Sequence, residues 1–130
     1  MRVPALPLLL ALLAGALTVL AFAPYGWWML QVLALALLFL LALRAPSTRH
    51  AFLLGWSFAL AALATGTHWL YVSMHDYGHM PGWIAALAVL LLSAGLALLY
   101  GGALALAHRL SRGRSVGLAA LLLLPACWML

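Results

Sequence analysis

The chain has 130 residues, of which 69% are hydrophobic and 5% charged, with a formal net charge of +5. A water-soluble domain carries about 25% charged residues, so this chain could not cover its exterior with polar groups. Composition excludes a soluble domain and points to an all-α, polytopic transmembrane helical bundle, because lipid accepts apolar side chains outward while the backbone must satisfy itself within helices.

Five apolar stretches follow one another, at residues 6–23, 27–43, 51–72, 83–107 and 116–130. About 17–25 apolar residues cross a hydrocarbon core of about 30 Å. The first two stretches lie near the short limit, and the fifth is still apolar at Leu130. Residues 1–130 therefore read as one transmembrane domain of about five spans. Between the first two stretches, Pro24, Tyr25 and Gly26 form a tight turn. It leads into Trp27 and Trp28, whose indole rings favour the headgroup layer. Arg44 to His50 is a polar connector. Residues 73–82 are expected to form a longer loop, with Gly78, Gly82, Pro81, His75, His79 and Asp76. His108 to Arg114 is basic.

The arginines set the orientation. Arg2 precedes the first stretch, Arg44 and Arg49 lie between the second and third, and Arg109, Arg112 and Arg114 lie between the fourth and fifth. If the spans alternate, all of them fall on one side. The positive-inside rule makes that side cytoplasmic. The N-terminus is then cytoplasmic, and the Tyr25 turn and the loop at 73–82 face outward. A cleaved signal peptide is the rival reading of the N-terminus, with Ala21-Phe22-Ala23 as the cleavage pattern. The first stretch exceeds a 7–15-residue signal core, and Pro24 would follow the cut directly. The scattered arginines form no basic face, which argues against nucleic acid as a partner.

Inside the third stretch, Gly55, Ala59, Ala62 and Gly66 share one helix face, which continues to Trp69 and Ser73. The fourth carries Ala94, Ala97, Gly101 and Ala105. Both stripes are read as packing faces for neighbouring helices, with a substrate groove as the alternative. His68 is expected to be a hydrogen-bonded interfacial histidine near the end of the third helix. His75 and His79 have i, i+4 spacing, but Gly78, Pro81 and Gly82 argue for a solvated loop, so no metal site is assigned. Cys127, the lone cysteine, reads as a small buried hydrophobe and can form no intrachain disulfide. No cofactor motif or phosphate-binding glycine loop occurs. Asp76 is the sole acidic residue, which excludes paired-carboxylate chemistry.

The segment from Leu20 to Trp28, Leu-Ala-Phe-Ala-Pro-Tyr-Gly-Trp-Trp, resembles the first turn of apolipoprotein N-acyltransferases. Thr67-His-Trp-Leu-Tyr-Val-Ser-Met74, followed by Asp76-Tyr-Gly-His-Met-Pro-Gly82, is similar to that family's signature between its third and fourth membrane helices. Leu124-Pro-Ala-Cys-Trp128 resembles the start of its fifth. The resemblance implies a bacterial inner-membrane enzyme of lipoprotein maturation. Such an enzyme moves an acyl chain from a phospholipid to the α-amine of the lipidated N-terminal cysteine of an apolipoprotein. It also implies helices that hold lipid, and a nitrilase-like domain whose Glu-Lys-Cys triad performs the chemistry.

This chain corresponds to about the first quarter of such a protein. It contains no Glu and no Lys, and Cys127 falls in the fifth helix, so no residue here is assigned a catalytic role. It is expected to be an N-terminal membrane part that is inactive alone. Trp69, Tyr71, Ser73, Tyr77, Gly78, Met80 and Pro81 match the family signature and are the candidate contacts to lipid substrate. Their structural alternative is that Gly78 and Pro81 shape the turn while the rings anchor the helix. Two other functions compete: a small non-catalytic membrane scaffold, and a small transporter subunit. Transporters place polar groups near the bilayer midplane, whereas residues 33–38 and 88–92 are purely apolar.

Overall fold

The computed structural model describes residues 5–22, 24–111, 125–126 and 129. Among them the regular structure is entirely helical. Helix α1 spans Ala5–Leu17 and tightens into a 3₁₀ turn at Thr18–Ala21. The Thr18 hydroxyl donates to the Gly15 carbonyl at 2.6 Å. The chain then reverses. The amides of Tyr25 and Gly26 both donate to the Phe22 carbonyl, at 3.1 and 3.0 Å. Gly26 has φ +65, a left-handed conformation that only glycine adopts without strain.

Helix α2 spans Trp28–Leu43. A short linker ends at Ser47, whose extended backbone and side chain cap α3 (Thr48–Gly66) by accepting from the His50 amide at 3.2 Å. Ser is a favoured residue there because its oxygen satisfies one of the unpaired amides of the first turn. The short helix α4 covers His68–Val72 and runs on through a π-helical turn at Ser73–Tyr77. Helix α5, Gly82–Ser111, is the longest.

Helix α3 is the centre of the bundle. It packs against α1 on one side and α5 on the other, and α2 lies against α1. Small residues carry these contacts. A Cβ at Gly15 would collide with the Phe58 carbonyl of α3. One at Gly55 would stand 2.8 Å from the Tyr100 carbonyl of α5, and one at Gly101 would stand 3.0 Å from the Phe52 carbonyl. The pairing of Phe52 with Gly101, and of Trp56 with Ala94 through an Nε1–H···O bond of 3.2 Å, makes α3 and α5 antiparallel. Arg44 in the linker and Arg49 in the first turn of α3 therefore lie at the same end as Arg109. The Tyr25 turn and α4 lie at the other.

The bundle reverses the pattern of a soluble core. Its buried residues are mostly small, including Ala11, Ala14, Ala51, Ala85, Ala97 and Ala107, with Leu38, Leu54, Phe58 and Leu104 among the few large ones. Leu6, Leu13, Leu33, Leu91, Leu98 and Leu99 each expose more than half their surface. A contiguous apolar exterior of this kind marks a surface meant for lipid or another apolar partner.

Several expectations change. The third stretch is not one helix to Val72. It breaks after Gly66, and its two segments meet at 48°. The Thr67 amide and hydroxyl both donate to the Leu63 carbonyl, at 2.8 and 2.7 Å, a back-bond that bends helices. Beside it, Gly66 supplies a residue of low helix propensity. Residues 73–77, expected in a loop, are helical. Helix α5 extends past residue 107 to Ser111. Among the described residues one helix, α5, is long and apolar enough to cross a membrane, or two if the bent α3–α4 pair counts as one span. Residues 5–21 and α2 are shorter apolar helices. The fifth stretch lies almost wholly outside the described residues, as do Arg2, Arg112, Arg114 and Cys127.

The glycine contacts predict a contrast. Gly15→Ala and Gly55→Ala should each lower the thermal stability of the detergent-solubilised chain by about 1–3 kcal/mol, the usual cost of overpacking. Gly66→Ala, where an added Cβ meets nothing within 4 Å, should leave it unchanged or raise it. Equal loss at all three positions would contradict the packing described.

Candidate functional site

The end of the bundle away from the arginines carries the family-like signature. Tyr71 is the residue around which it is organised. Its ring stacks on His68 at 5.9 Å with 16° between planes, and lies 5.5 Å from His75, tilted by 33°. The three fall at i, i+3 and i+7, which one continuous helical face allows. His75 turns back onto the following segment, where its Nδ1–H donates to the Met80 carbonyl at 2.8 Å. In the neutral ring that bond leaves the proton off Nε2.

The turn after α4 is tightly built. The Gly78 amide donates to the Ser73 carbonyl at 3.0 Å, the i+5 bond of a π turn, and the Met80 amide to the Met74 carbonyl at 3.1 Å. A Cβ at Gly78 would stand 2.7 Å from the Met74 carbonyl, so this close approach requires glycine. His79 has φ +52, the left-handed region that costs a residue with a Cβ. The Pro81 carbonyl then accepts from the Ile84 and Ala85 amides, at 2.9 and 3.1 Å, and starts α5. His79 thus lies past the end of the helix, and the i, i+4 pair does not share a helix face.

The signature residues divide by environment. Trp69 and Tyr77 are 67% and 81% exposed. Ser73, Gly78 and Pro81 are also exposed, while Tyr71 and Met80 are half-buried. His68, expected near the end of the third helix, instead opens α4 and is exposed. The structure gathers Tyr71, Gly78, Met80 and Pro81 around one turn. Trp69, Ser73 and Tyr77 project from it as separate exposed positions.

A second feature escaped sequence reasoning. Beneath the break in α3 is a partly open cavity of about 290 Å³. Phe58, Ala59, Ala62, Leu63 and Gly66 of α3, with Thr67 at its break, form one wall; Thr18 and Phe22, Gln31 of α2, and Tyr100 of α5 close the rest. The small-residue stripe of α3 therefore has two roles. Gly55 is buried in packing, Ala59 is buried and also forms part of the cavity wall, and Ala62 and Gly66 line the cavity. Gln31 could have been found, because it is the lone polar side chain, tryptophan aside, in the stretch 27–43, and polar groups within such stretches are functional candidates.

The described residues thus form an all-helical bundle with an apolar exterior, a tightly held aromatic turn at one end and a cavity just beneath it. Sequence comparison gives the family. The profile described as Apolipoprotein N-acyltransferase N-terminal domain matches residues 14–130. An apolipoprotein N-acyltransferase of Ralstonia nicotianae is 49% identical over 92% of this chain and 23% of its own length. One of Chromobacterium violaceum is 47% identical over 95% of this chain and 23% of its own. One of Pseudomonas paraeruginosa is 46% identical over 71% of this chain and 18% of its own. The chain belongs to the apolipoprotein N-acyltransferase family, and it spans about 23% of the length of the first two of these relatives.

The turn geometry predicts that His75→Ala will speed hydrogen exchange of the amides at Gly78 and Met80 by about five-fold, the weight of one net hydrogen bond. Tyr77→Ala, which removes an exposed ring, should leave those rates unchanged. Equal acceleration by both would show that the His75–Met80 bond does not hold the turn.

Proposed function

We propose that this chain is the membrane-embedded N-terminal part of an enzyme that transfers an acyl chain from a phospholipid to the α-amine of the N-terminal cysteine of an apolipoprotein. The observation that carries the reading is its similarity, over 92% of its length, to a relative bearing that name. Four apolar helical segments, counting α3 and α4 as one, suit a multi-pass protein of the bacterial inner membrane, and the apolar stretch 116–130 would supply a fifth span. Arg44, Arg49 and Arg109 then mark the cytoplasmic end. The Tyr25 turn and the α4 turn face the other side, where a lipoprotein N-terminus and the outer-leaflet phospholipids are found.

This chain holds no Glu and no Lys, so its contribution is to hold and admit substrate rather than to form or break the acyl bond. Trp69, Tyr71, Ser73, Tyr77 and Met80 make the contact surface, with Gly78 and Pro81 setting its backbone. Aromatic rings at a membrane interface, and a flexible thioether, suit the passage of an acyl chain.

Two outcomes test this reading. In membranes, the chain alone should show no acyl transfer, while the chain continued by a relative's downstream region should transfer acyl groups to a lipidated N-terminal cysteine peptide. Transfer by neither form, with insertion verified, would overturn the proposal. Within the continued form, replacing Tyr71 and Tyr77 together by Ala should lower transfer about ten-fold or more at equal protein level, since a misplaced substrate can cost about 10²-fold. Unchanged transfer would remove these rings from the contact surface.

A further inference from the structure

Gln31 lies one helical turn into α2 from Trp27 and Trp28, about 5 Å deeper along the axis. Its Oε1 is buried with no hydrogen-bond partner, and it lines the cavity below the α3 break. A buried amide oxygen left unpaired costs about 1–3 kcal/mol. Because no hydrogen bond anchors the carboxamide, it can turn about its soft terminal torsion without losing one. Which of its two polar atoms faces the cavity is therefore open to choice by an occupant.

The cavity is polar and apolar at different depths. Gln31, one turn below the indole rings, and Thr67 line the same cavity. The Thr67 hydroxyl is already donated to Leu63, which leaves the Gln31 amide as the uncommitted donor there. Toward the arginine end the wall becomes Leu63, Ala62, Ala59 and Phe58. If Trp27 and Trp28 sit at headgroup level, the carboxamide falls at the depth of the glycerol esters and the apolar wall at the depth of the first methylenes.

We propose that this cavity is a phospholipid site, in which the Gln31 carboxamide donates through Nε2 to an acyl-ester carbonyl and the acyl chain runs down over Ala62, Ala59 and Phe58. The site rests on the acyltransferase reading for its lipid-facing setting, and adds to it a place for the ester group, away from the α4 turn. Ala62 and Gly66 stay small here because a larger side chain would occupy the space the chain needs.

The test uses the full chain in phospholipid nanodiscs doped with phosphatidylethanolamine carrying a diazirine near the carboxyl end of one acyl chain, with crosslinks mapped by mass spectrometry. The site predicts labelling concentrated at residues 58–67 and around Gln31. Ala62→Trp, which fills the cavity, should reduce that labelling about ten-fold, and Gln31→Leu about five-fold, the weight of one hydrogen bond. Labelling at Leu98 and Leu99, on the exposed face of α5, should be unchanged by either. Labelling spread evenly over exposed leucines, or cavity labelling insensitive to Gln31→Leu, would overturn the proposal; the second variant serves if Ala62→Trp does not fold. The two readings fail separately. Cavity labelling without acyl transfer by the continued chain would leave a lipid site and remove the acyltransferase, whereas transfer without cavity labelling would do the reverse.

Discussion

Everything in this bundle depends on how closely α3 approaches its two neighbours. Gly15 sits under the Phe58 carbonyl, and Gly55 and Gly101 bring the backbones of α3 and α5 into contact. In lipid, apolar side chains gain little by turning inward, since the surrounding chains are as apolar as leucine. Helices associate instead through dispersion and shape, which small residues maximise by letting backbones meet. Under the membrane reading, this accounts for alanines filling the core while leucines cover the exterior. It also accounts for a long-range side-chain bond between α3 and α5, from Trp56 to the Ala94 carbonyl: an indole N–H facing apolar surroundings needs a partner, and a close helix offers a carbonyl.

The same stripe then opens onto the cavity, which Ala59, Ala62 and Gly66 line, and a Cβ at Gly66 would meet nothing within 4 Å. At Gly66 and Thr67 the helix bends by 48°, and the Leu63 carbonyl is taken by Thr67. The bend redirects α4 across the end of the bundle and leaves the cavity beneath it. One local change in hydrogen bonding thus produces both features of the site, the aromatic turn around Tyr71 and the pocket beside Gln31. Under the acyltransferase reading, the exposed turn meets lipid at the interface and the cavity holds what enters.

Helical class and the positions of α1, α2 and α5 were legible in the sequence to within a few residues, because long apolar runs bounded by Pro, Gly and Arg leave lipid-compatible helices as the one solution. The packing role of Gly55, Ala59, Ala97 and Gly101 was legible from spacing alone. The break at Gly66 was not, since apolar periodicity runs on through it to Val72, and its cause is a hydroxyl back-bond from Thr67 beside a glycine, which hydropathy does not register. The helical state of residues 73–77 was also hidden. Gly78, Pro81 and Gly82 suggested a loop across the whole segment, whereas they act only after a π turn has closed. Gly78, read as shaping the turn, does so by close approach to the Met74 carbonyl rather than by a left-handed backbone, which falls instead on His79. The cavity required knowing that the turn after α1, α2 and α5 converge on the upper part of α3, which no single stretch contains.

The most direct measurement of the account is the sidedness of its two ends. With Cys127 replaced by Ser, single cysteines placed at Ser47 and at Tyr77 would be probed in oriented membranes with a thiol reagent that does not cross the bilayer. Ser47→Cys should react only from the cytoplasmic face and Tyr77→Cys only from the opposite face, with Leu99→Cys unreactive from both. Reaction of Ser47→Cys and Tyr77→Cys from the same face would contradict a bundle that spans the membrane with its arginine end inside and its aromatic turn outside.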